Sequence, residues 1–470
     1  MFFATIFSRV GLMFLLTSLL SYVWDFVRYS PNRLAVNTAT GLHDIYTHEK
    51  NVKKSKGYNA MVHRSHNTLT MFDKKEHGRR RRLISQGFSD AALRQYQGAI
   101  MTHVMKFCSC LCQNDSSKAD SKGSEWSSPK NMARWNNYLA FDIMADVILG
   151  QKYNLLDDSS NRFVVEAIEN SNVRVGVLIQ APEISIFRLD KWLFRDAIKA
   201  RNLFIKFVNR FLRERMSQSG SGTKDVFSIL ITAKDPQTGE GFRLAEIGSE
   251  STTLMVAGSD TSSTTLAGLF FYLTRYPEVY AKVTEEVRMT FSSVDEISLG
   301  SKLTSCTYLR ACIDEVLRLS PPVGSALWRE VRPGGAVVDG HFIPAGCDVG
   351  TPIYSIHHNA SYYPDPFTFL PERWLGDGAK LAQSAYTPFS LGPRGCIGKG
   401  FALVELQLAM ATVLWKLDFR VAPGPDGRAG EGTSSSASPW RRREKELQLY
   451  DHITGAKRGP LLQFRERTAA

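Results

Sequence analysis

The residue best placed to do chemistry in this chain is a thiol. Phe389 to Gly398 read FSLGPRGCIG, with three glycines, one proline, one arginine and Cys396. Such a run makes a poor helix and a poor strand, so its backbone is bent for a reason. The segment that follows, KGFALVELQLAMATVLWKL, has a helical apolar period and starts just beyond Cys396. Its positive end therefore faces the sulfur and favours the ionised form. Two other readings compete. The glycines with Lys399 do not make a phosphate loop, because the residue five before Gly398 is Pro393. A lone cysteine is ordinarily a small buried hydrophobe, but not in surroundings like these.

Other constellations lie at helical spacing. In ACIDEVLRLSPP, Glu315 and Arg318 are three apart and share one helix face. In isolation that pair reads as a surface salt bridge. The stretch KEHGRRRRLISQGFS holds four consecutive arginines, Arg79 to Arg82, which alone suit a solvated face or a nucleic-acid patch. In LMVAGSDTSSTT a glycine stands mid-helix among hydroxyl residues, at a cost to helix stability. Hydroxyls there can bond the preceding turn and bend the axis. Asp260 beside Thr261 puts a carboxylate next to a hydroxyl, a pairing able to relay protons through water.

Phe389, Gly392, Arg394, Cys396 and Gly398 fit F-x-x-G-x-R-x-C-x-G, Glu315 and Arg318 fit E-x-x-R, and Ala257 to Ser262 fit A/G-G-x-D/E-T-T/S. In these motifs, their order and their spacing the chain resembles the cytochrome P450 haem-thiolate monooxygenases. The resemblance runs from Phe26 to about Arg420 and again over LYDHITGAKRGPLLQF, a terminal hairpin. It implies a mainly α fold with a minor β region, haem b as cofactor, and Cys396 as the axial iron ligand. Arg373, in YYPDPFTFLPERWL, would join Glu315 and Arg318 in a network pinning the cysteine loop. His77, standing where the family has Trp, with Arg81, Arg329 and Arg394, would meet the haem propionates. The resemblance further implies a helix bulged at Gly258 over the distal haem face, with Asp260 and Thr261 supplying protons for O–O cleavage. Glycines in the cysteine loop would let the chain pass close to a flat macrocycle. By family position the substrate pocket would include Met255, Val256, Val323, Ala326, Leu327 and Ile453. These suggest a lipophilic ligand such as a polyketide, terpenoid or alkaloid, since FDIMADVILG and LPERWL are similar to filamentous-fungal members acting on secondary metabolites.

The elements that position these residues are mostly helical. Apolar residues recur at helical spacing over 91–112, 131–150, 196–216, 244–275 and 402–416. FVRYSPNRLAVNT reads as a hairpin around Pro31 and Asn32, and 321–352 changes to Gly, Pro and β-branched residues, implying short late strands. Polar runs at QNDSSKADSKGSEWSS and SQSGSGTK read as surface loops, and about 424–445 as a flexible insertion. No linker divides the chain, so 26–470 reads as one large catalytic unit.

Composition agrees. Of 470 residues, 43% are hydrophobic and 22% charged, which excludes a disordered chain. Seven cysteines without a C-x-x-C pair argue against a disulfide framework or zinc module, and for a reducing compartment. Val10 to Trp24 carries no charge. Fifteen helical residues rise about 22 Å, and extension back through Phe2 reaches across a hydrocarbon core of roughly 30 Å. No small-residue cleavage site follows, so 1–25 reads as a signal anchor with the body cytosolic, on the endoplasmic reticulum membrane. The family has a Pro-rich hinge and an initial helix after its anchor, whereas here SYVWDF passes directly into VRYSPN.

No flavin or dinucleotide motif is present, so electrons would come from a separate reductase, which the resemblance implies is the membrane-bound NADPH-dependent enzyme. Its acidic surface would suit a chain of net charge +12, as would anionic membrane lipid. An anchored chain argues against a nucleic-acid partner. Two alternatives compete with an oxygen-activating monooxygenase. Haem-thiolate isomerases and dehydratases would not need Asp260 and Thr261, and a tethered haem-binding protein would show no turnover.

Overall fold

The structure, a computed structural model, describes residues 24–63, 65–114, 125–217 and 225–467. The expected anchor lies almost wholly outside the described residues, as do most of the two polar loops at 113–128 and 217–224. Among the described residues no helix is long and apolar enough to cross a membrane.

Nine helices of 12 residues or more are found among the described residues: α1 Lys74–Ser85, α2 Asp90–Cys112, α3 Met132–Leu149, α4 Phe163–Gln180, α5 Arg195–Ser217, α6 Leu244–Arg275, α7 Pro277–Thr290, α8 Thr307–Leu319 and α9 Lys399–Lys416. All five segments of helical period are helices to within three residues at each end. Their starts follow from capping: the Asp73 carboxylate accepts from the Glu76 amide at 2.7 Å ahead of α1, and Ser89 caps α2. Helix α3 stops at Gly150, which takes φ 60°. A side chain there would also strike Asp225, 2.5 Å from the added carbon. The periodicity does not mark helix α4, because its apolar stripe is interrupted by Asn172 and Gly176, both buried.

Helix α6 packs along α3, α9 packs on α2, and α2 on α3, so these four form the central bundle. Fully buried Phe270, Phe271 and Tyr272 of α6 anchor its core. The expected distal bulge is absent: α6 runs as continuous α-helix through Gly258. Close packing accounts for the glycine instead, since a side chain at Gly258 would meet Met144 of α3 at 2.3 Å.

The sheet is minor, as expected, but not confined to the late part of the chain. Strands β1 Phe26–Ser30 and β2 Arg33–Val36 form the hairpin around Pro31. They join β3 Val52–Lys54, β5 Arg329–Val331 and β8 Asp348–Gly350 in the order β1-β2-β8-β5-β3, while β4 Lys130–Asn131 belongs elsewhere. Early and late segments thus share one sheet, and Arg329 faces Lys54 across it. A second hairpin joins β6 Ala336–Val338 to β7 His341–Ile343. The terminal hairpin is β10 Tyr450–His452 with β11 Thr454–Ala456. Beyond it, β12 Leu461–Glu466 pairs with β9 Leu417–Val421 and β4.

The stretch 424–445, read as a flexible insertion, is tied to the body. Glu431 pairs with Arg275 at the end of α6 at 2.9 Å, and Arg275 also donates to the Gly427 carbonyl at 3.0 Å. Its low sequence complexity did not show these long-range ties.

Candidate active site

Cys396 sits in the turn just before α9. Its amide donates to the Phe389 carbonyl at 2.8 Å, closing the loop on itself. Its side chain is accessible, although much of the protein surrounds it. Desolvation there raises the thiol pKa above the usual range, while the Gly398 amide, Arg81, the Lys399 amide and the Lys399 charge all pull it down. Amides aimed at the sulfur are what a metal-bound thiolate requires.

The two outer glycines of this loop have different reasons. Gly392 takes φ 63°, and a side chain on it would meet the Tyr46 carbonyl oxygen at 2.3 Å. Close approach to the chain's own backbone, and not to a macrocycle, accounts for this glycine. At Gly398 an added carbon would meet only the Cys396 sulfur, at 3.9 Å, so that side is open for a flat group.

The network expected beneath the loop is assembled. Glu315 and Arg318 of α8 are both fully buried and share two hydrogen bonds, of 2.7 and 2.9 Å. Arg373 donates to the Glu315 carboxylate at 3.1 Å. Two further donors, Trp374 Nε1 at 2.9 Å and the Leu370 amide at 3.0 Å, complete it. Arg318 also donates to the carbonyls of His357, Pro366 and Thr368. From there the path reaches the cysteine loop, because the His357 ring accepts from the Thr387 amide at 2.9 Å. Trp374 and His357 were missed in the sequence: an indole next to a motif arginine and a histidine 39 residues downstream carry no spacing signal of their own.

The propionate candidates also converge. Arg81 Nη1 donates to the Gly395 carbonyl at 2.7 Å, directly beside Cys396. Arg394 donates to the carbonyls of Met71 and Phe72 at 2.5 and 3.2 Å. Arg329, buried, donates to the carbonyls of Leu327 and Trp328 and over the ring of Tyr46. His77 is buried among them. Burial, and then Arg394, Lys54, Arg81 and Arg329 in turn, bring its pKa down to about 3, so it is a neutral ring. Burial and then Arg329 press the Arg394 guanidinium down to about 10, with Asp73 acting against them. Lys54 of β3, which no sequence signal marked, joins this cluster. Burial first, and the charges of Arg329 and Arg394, hold its ammonium far below the ordinary lysine range. Cations in mutual repulsion, Lys54 and Arg329 buried and Arg81 and Arg394 partly so, are a poor use of charge unless an anion completes the set. The carboxylates of a haem are such an anion, and an accessible thiol lies beside it, so these residues fit the haem that the sequence motifs imply.

On α6 the two expected proton carriers point different ways, as neighbours on a helix must. Thr261 is half-buried and donates back to the Ala257 carbonyl at 2.7 Å. Ala257 is the one exposed residue between Glu250 and Leu273, which marks the face of α6 open to a ligand. Asp260 is buried on another side, where its carboxylate accepts from Asn172 of α4 at 3.1 Å and from the Thr454 hydroxyl of β11. Any relay from Asp260 to Thr261 therefore runs through water.

The pocket candidates do not form one wall. Met255, fully buried, belongs to the main core and not to the open face, because it lies one turn before Ser259 on the buried side. Val256 is partly buried against the same core. Ala326 and Ile453 share a small cluster with Trp328, Leu327 packs on the sheet core, and Val323 is half-buried. Glu405 of α9 was also missed. It is fully buried and accepts from the Ser262 hydroxyl at 2.6 Å, and burial raises its carboxyl to about 8.

Comparison with known proteins bears on most of the chain. The family described as Cytochrome P450 matches residues 21–439. A cytochrome P450 monooxygenase of Gibberella zeae is 52% identical over 427 residues, covering 91% of this chain and 98% of that protein. One from Alternaria alternata is 47% identical over 452 residues, 94% of this chain and 85% of its own length. One from Penicillium oxalicum is 48% identical over 440 residues, 93% and 82% respectively.

Proposed function

The chain belongs to the cytochrome P450 family of monooxygenases, and we propose that it oxidises a lipophilic small molecule with dioxygen and electrons from a separate NADPH-dependent reductase. The observation that carries this reading is Cys396: an accessible thiol faced by two amides, with a cluster of buried and partly buried cations beside it that no ion pair among the described residues neutralises. Bound there, haem b would supply dioxygen activation and one-electron chemistry.

The chain's own residues have narrower tasks. Cys396 would hold the iron from below, with Arg81 and the Gly398 and Lys399 amides keeping the sulfur charged. Arg81, Arg329, Arg394 and Lys54 would neutralise the propionates, with His77 packed neutral among them. Thr261, whose hydroxyl lies one turn from exposed Ala257, would place a proton near the reacting oxygen, replenished from Asp260 through water. Asp260 is reserved for proton supply and does not touch substrate in this scheme.

Location and substrate follow the same logic. Ile186, Phe187, Leu189 and Trp192 are exposed, Phe187 at 92%, beside Arg188 and Lys191. That apolar and basic surface supports a body resting on an anionic membrane, which we place at the cytosolic face of the endoplasmic reticulum. The apolar and small residues at the pocket positions, and relatives drawn from fungi, support a secondary metabolite such as a polyketide, terpenoid or alkaloid.

The test is the reduced, carbon monoxide-bound spectrum, followed by NADPH consumption with reductase and candidate substrates. Cys396→Ala is expected to abolish the thiolate-type band. Thr261→Ala is expected to keep the band while diverting electrons to peroxide. A band unchanged by Cys396→Ala would refute the ligand assignment. A normal band with no reductase-supported oxidation of any ligand would favour a tethered haem-binding protein.

A further inference from the structure

One buried cation plays no part in the scheme above. Lys457 follows β11 and is 7% exposed, and its ammonium donates to Asn137 Oδ1 of α3 at 2.9 Å and to Ser263 Oγ of α6 at 3.0 Å. Ser263 donates in turn to the Asp260 carbonyl at 2.9 Å. Neither direct partner is charged, and an ammonium buried without an opposite charge is costly. The charges that compensate it stand on either side. Asp260 on α6 and Glu169 on α4 both act on Lys457 against the lowering effect of burial, while Arg134 opposes them.

These groups form a row from the core to the surface. Glu169 accepts from Asn137 Nδ2 at 3.0 Å and lies 3.5 Å from Arg134, with 23% of its side chain exposed. Beyond it, Arg134 pairs with Glu166, which is 63% exposed. At the inner end a small cavity is lined by Asn137, Phe141, Val165, Ile168, Ser259 and Asp260. Burial raises the Glu169 carboxyl above the ordinary range; Lys457 and Arg134 lower it, and Asp260 raises it again. His452 of β10 also faces Asp260, which acts on it against the lowering effect of burial.

We propose that Lys457 is a positioning residue for proton delivery, its ammonium serving as the shared counter-charge of Asp260 and Glu169, with Glu169 the point where protons enter from solvent. This rests on the reading of Asp260 as the proton reservoir for Thr261. In each transfer the Glu169 carboxylate takes one proton from solvent and becomes an acid. It passes that proton inward through water to the Asp260 carboxylate and returns to its ionised form. No electrons move, and solvent supplies the proton. The C-terminal hairpin thereby becomes part of the machinery, because it brings both Lys457 and the Thr454 hydroxyl to α6.

The experiment uses the full haem-loaded enzyme with reductase and compares Lys457→Met, Lys457→Arg, Glu169→Gln and Thr261→Ala. Three quantities are read: the fraction of NADPH electrons recovered as peroxide, the solvent deuterium isotope effect on product formation, and the infrared titration of the Glu169 carboxyl in the resting protein. Lys457→Met is expected to raise the peroxide fraction and the isotope effect severalfold and to move the Glu169 titration to higher pH. Lys457→Arg is expected to restore all three most of the way. A folded Lys457→Met with a full carbon monoxide band and wild-type values for all three overturns the proposal. Should Lys457→Met fail to fold, unchanged coupling in Glu169→Gln overturns it equally. Peroxide unchanged in Thr261→Ala as well sinks the proton-delivery reading itself, which separates the two failures.

Discussion

Two groups of buried charge sit near the cysteine loop, and they are built on opposite plans. In the first, the Glu315 carboxylate accepts from Arg318, Arg373, Trp374 and the Leu370 amide, and the spare donors of Arg318 go to three carbonyls. Both guanidiniums there share the one carboxylate. In the second, Lys54, Arg81, Arg329 and Arg394 donate only to neutral partners, chiefly backbone carbonyls, and no ion pair among the described residues holds any of them. The first is complete within the chain and serves as architecture. The second lacks an opposite charge among the described residues, which is what the proposed binding of the haem carboxylates would supply.

That contrast can be broken from either side. The largest effect is expected for Glu315→Gln, which leaves two buried guanidiniums without a counter-charge. A loss of about 3–5 kcal/mol should appear as little folded protein and a collapsed thermal melt; a wild-type melt would show that the network is not structural. Arg394→Met should behave in the opposite sense. Haem-free protein should melt at a higher temperature, since a repelled cation has been removed. The loaded protein should bind haem roughly tenfold or more weakly, as expected for loss of a hydrogen bond to a charged group. If both forms shift in the same direction, the cluster is not poised for an anion.

The smallest effect sharpens the comparison with a carboxylate that lacks any cation. The Glu405 pKa, about 8, lies above its ordinary 4.5 because burial disfavours the charge, with Ser262 lowering it only in part. The folded state thus holds this proton more tightly than the unfolded one. The resulting stability is full below about pH 4.5 and is lost as pH rises through about 8. Glu405→Gln should therefore match the wild-type melting temperature near pH 5 and exceed it by a few degrees near pH 9. Equal melts at both pH values would remove the assigned burial effect.

Legibility in the sequence differed along the same line. The cysteine loop and the Glu315–Arg318 pair announce themselves because their partners lie within ten residues, where a fixed spacing stands for a fixed geometry. The reasons behind single residues were less visible. Gly258 and Gly392 are demanded by Met144 and by the Tyr46 carbonyl, both distant in sequence, and no motif reports such a neighbour. Met255 has the right family position but falls on the buried side of α6, since adjacent helical positions are rotated about 100° apart. Lys54, Lys457 and Glu405 left no trace, because a lone lysine or glutamate in a sequence looks like any solvated charge.

What the amino-acid order determined by itself is therefore local: helical periods, caps, the bent loop that presents Cys396, and the helix whose start faces it. The tertiary structure alone decided which charges meet. Lys54, His77, Arg329 and Arg394 come from four separate segments and converge only because β3 pairs with β5 and α1 lies against the cysteine loop. Whether such a charge is neutralised, repelled or left waiting for a ligand depends on distance and burial, and folding sets both.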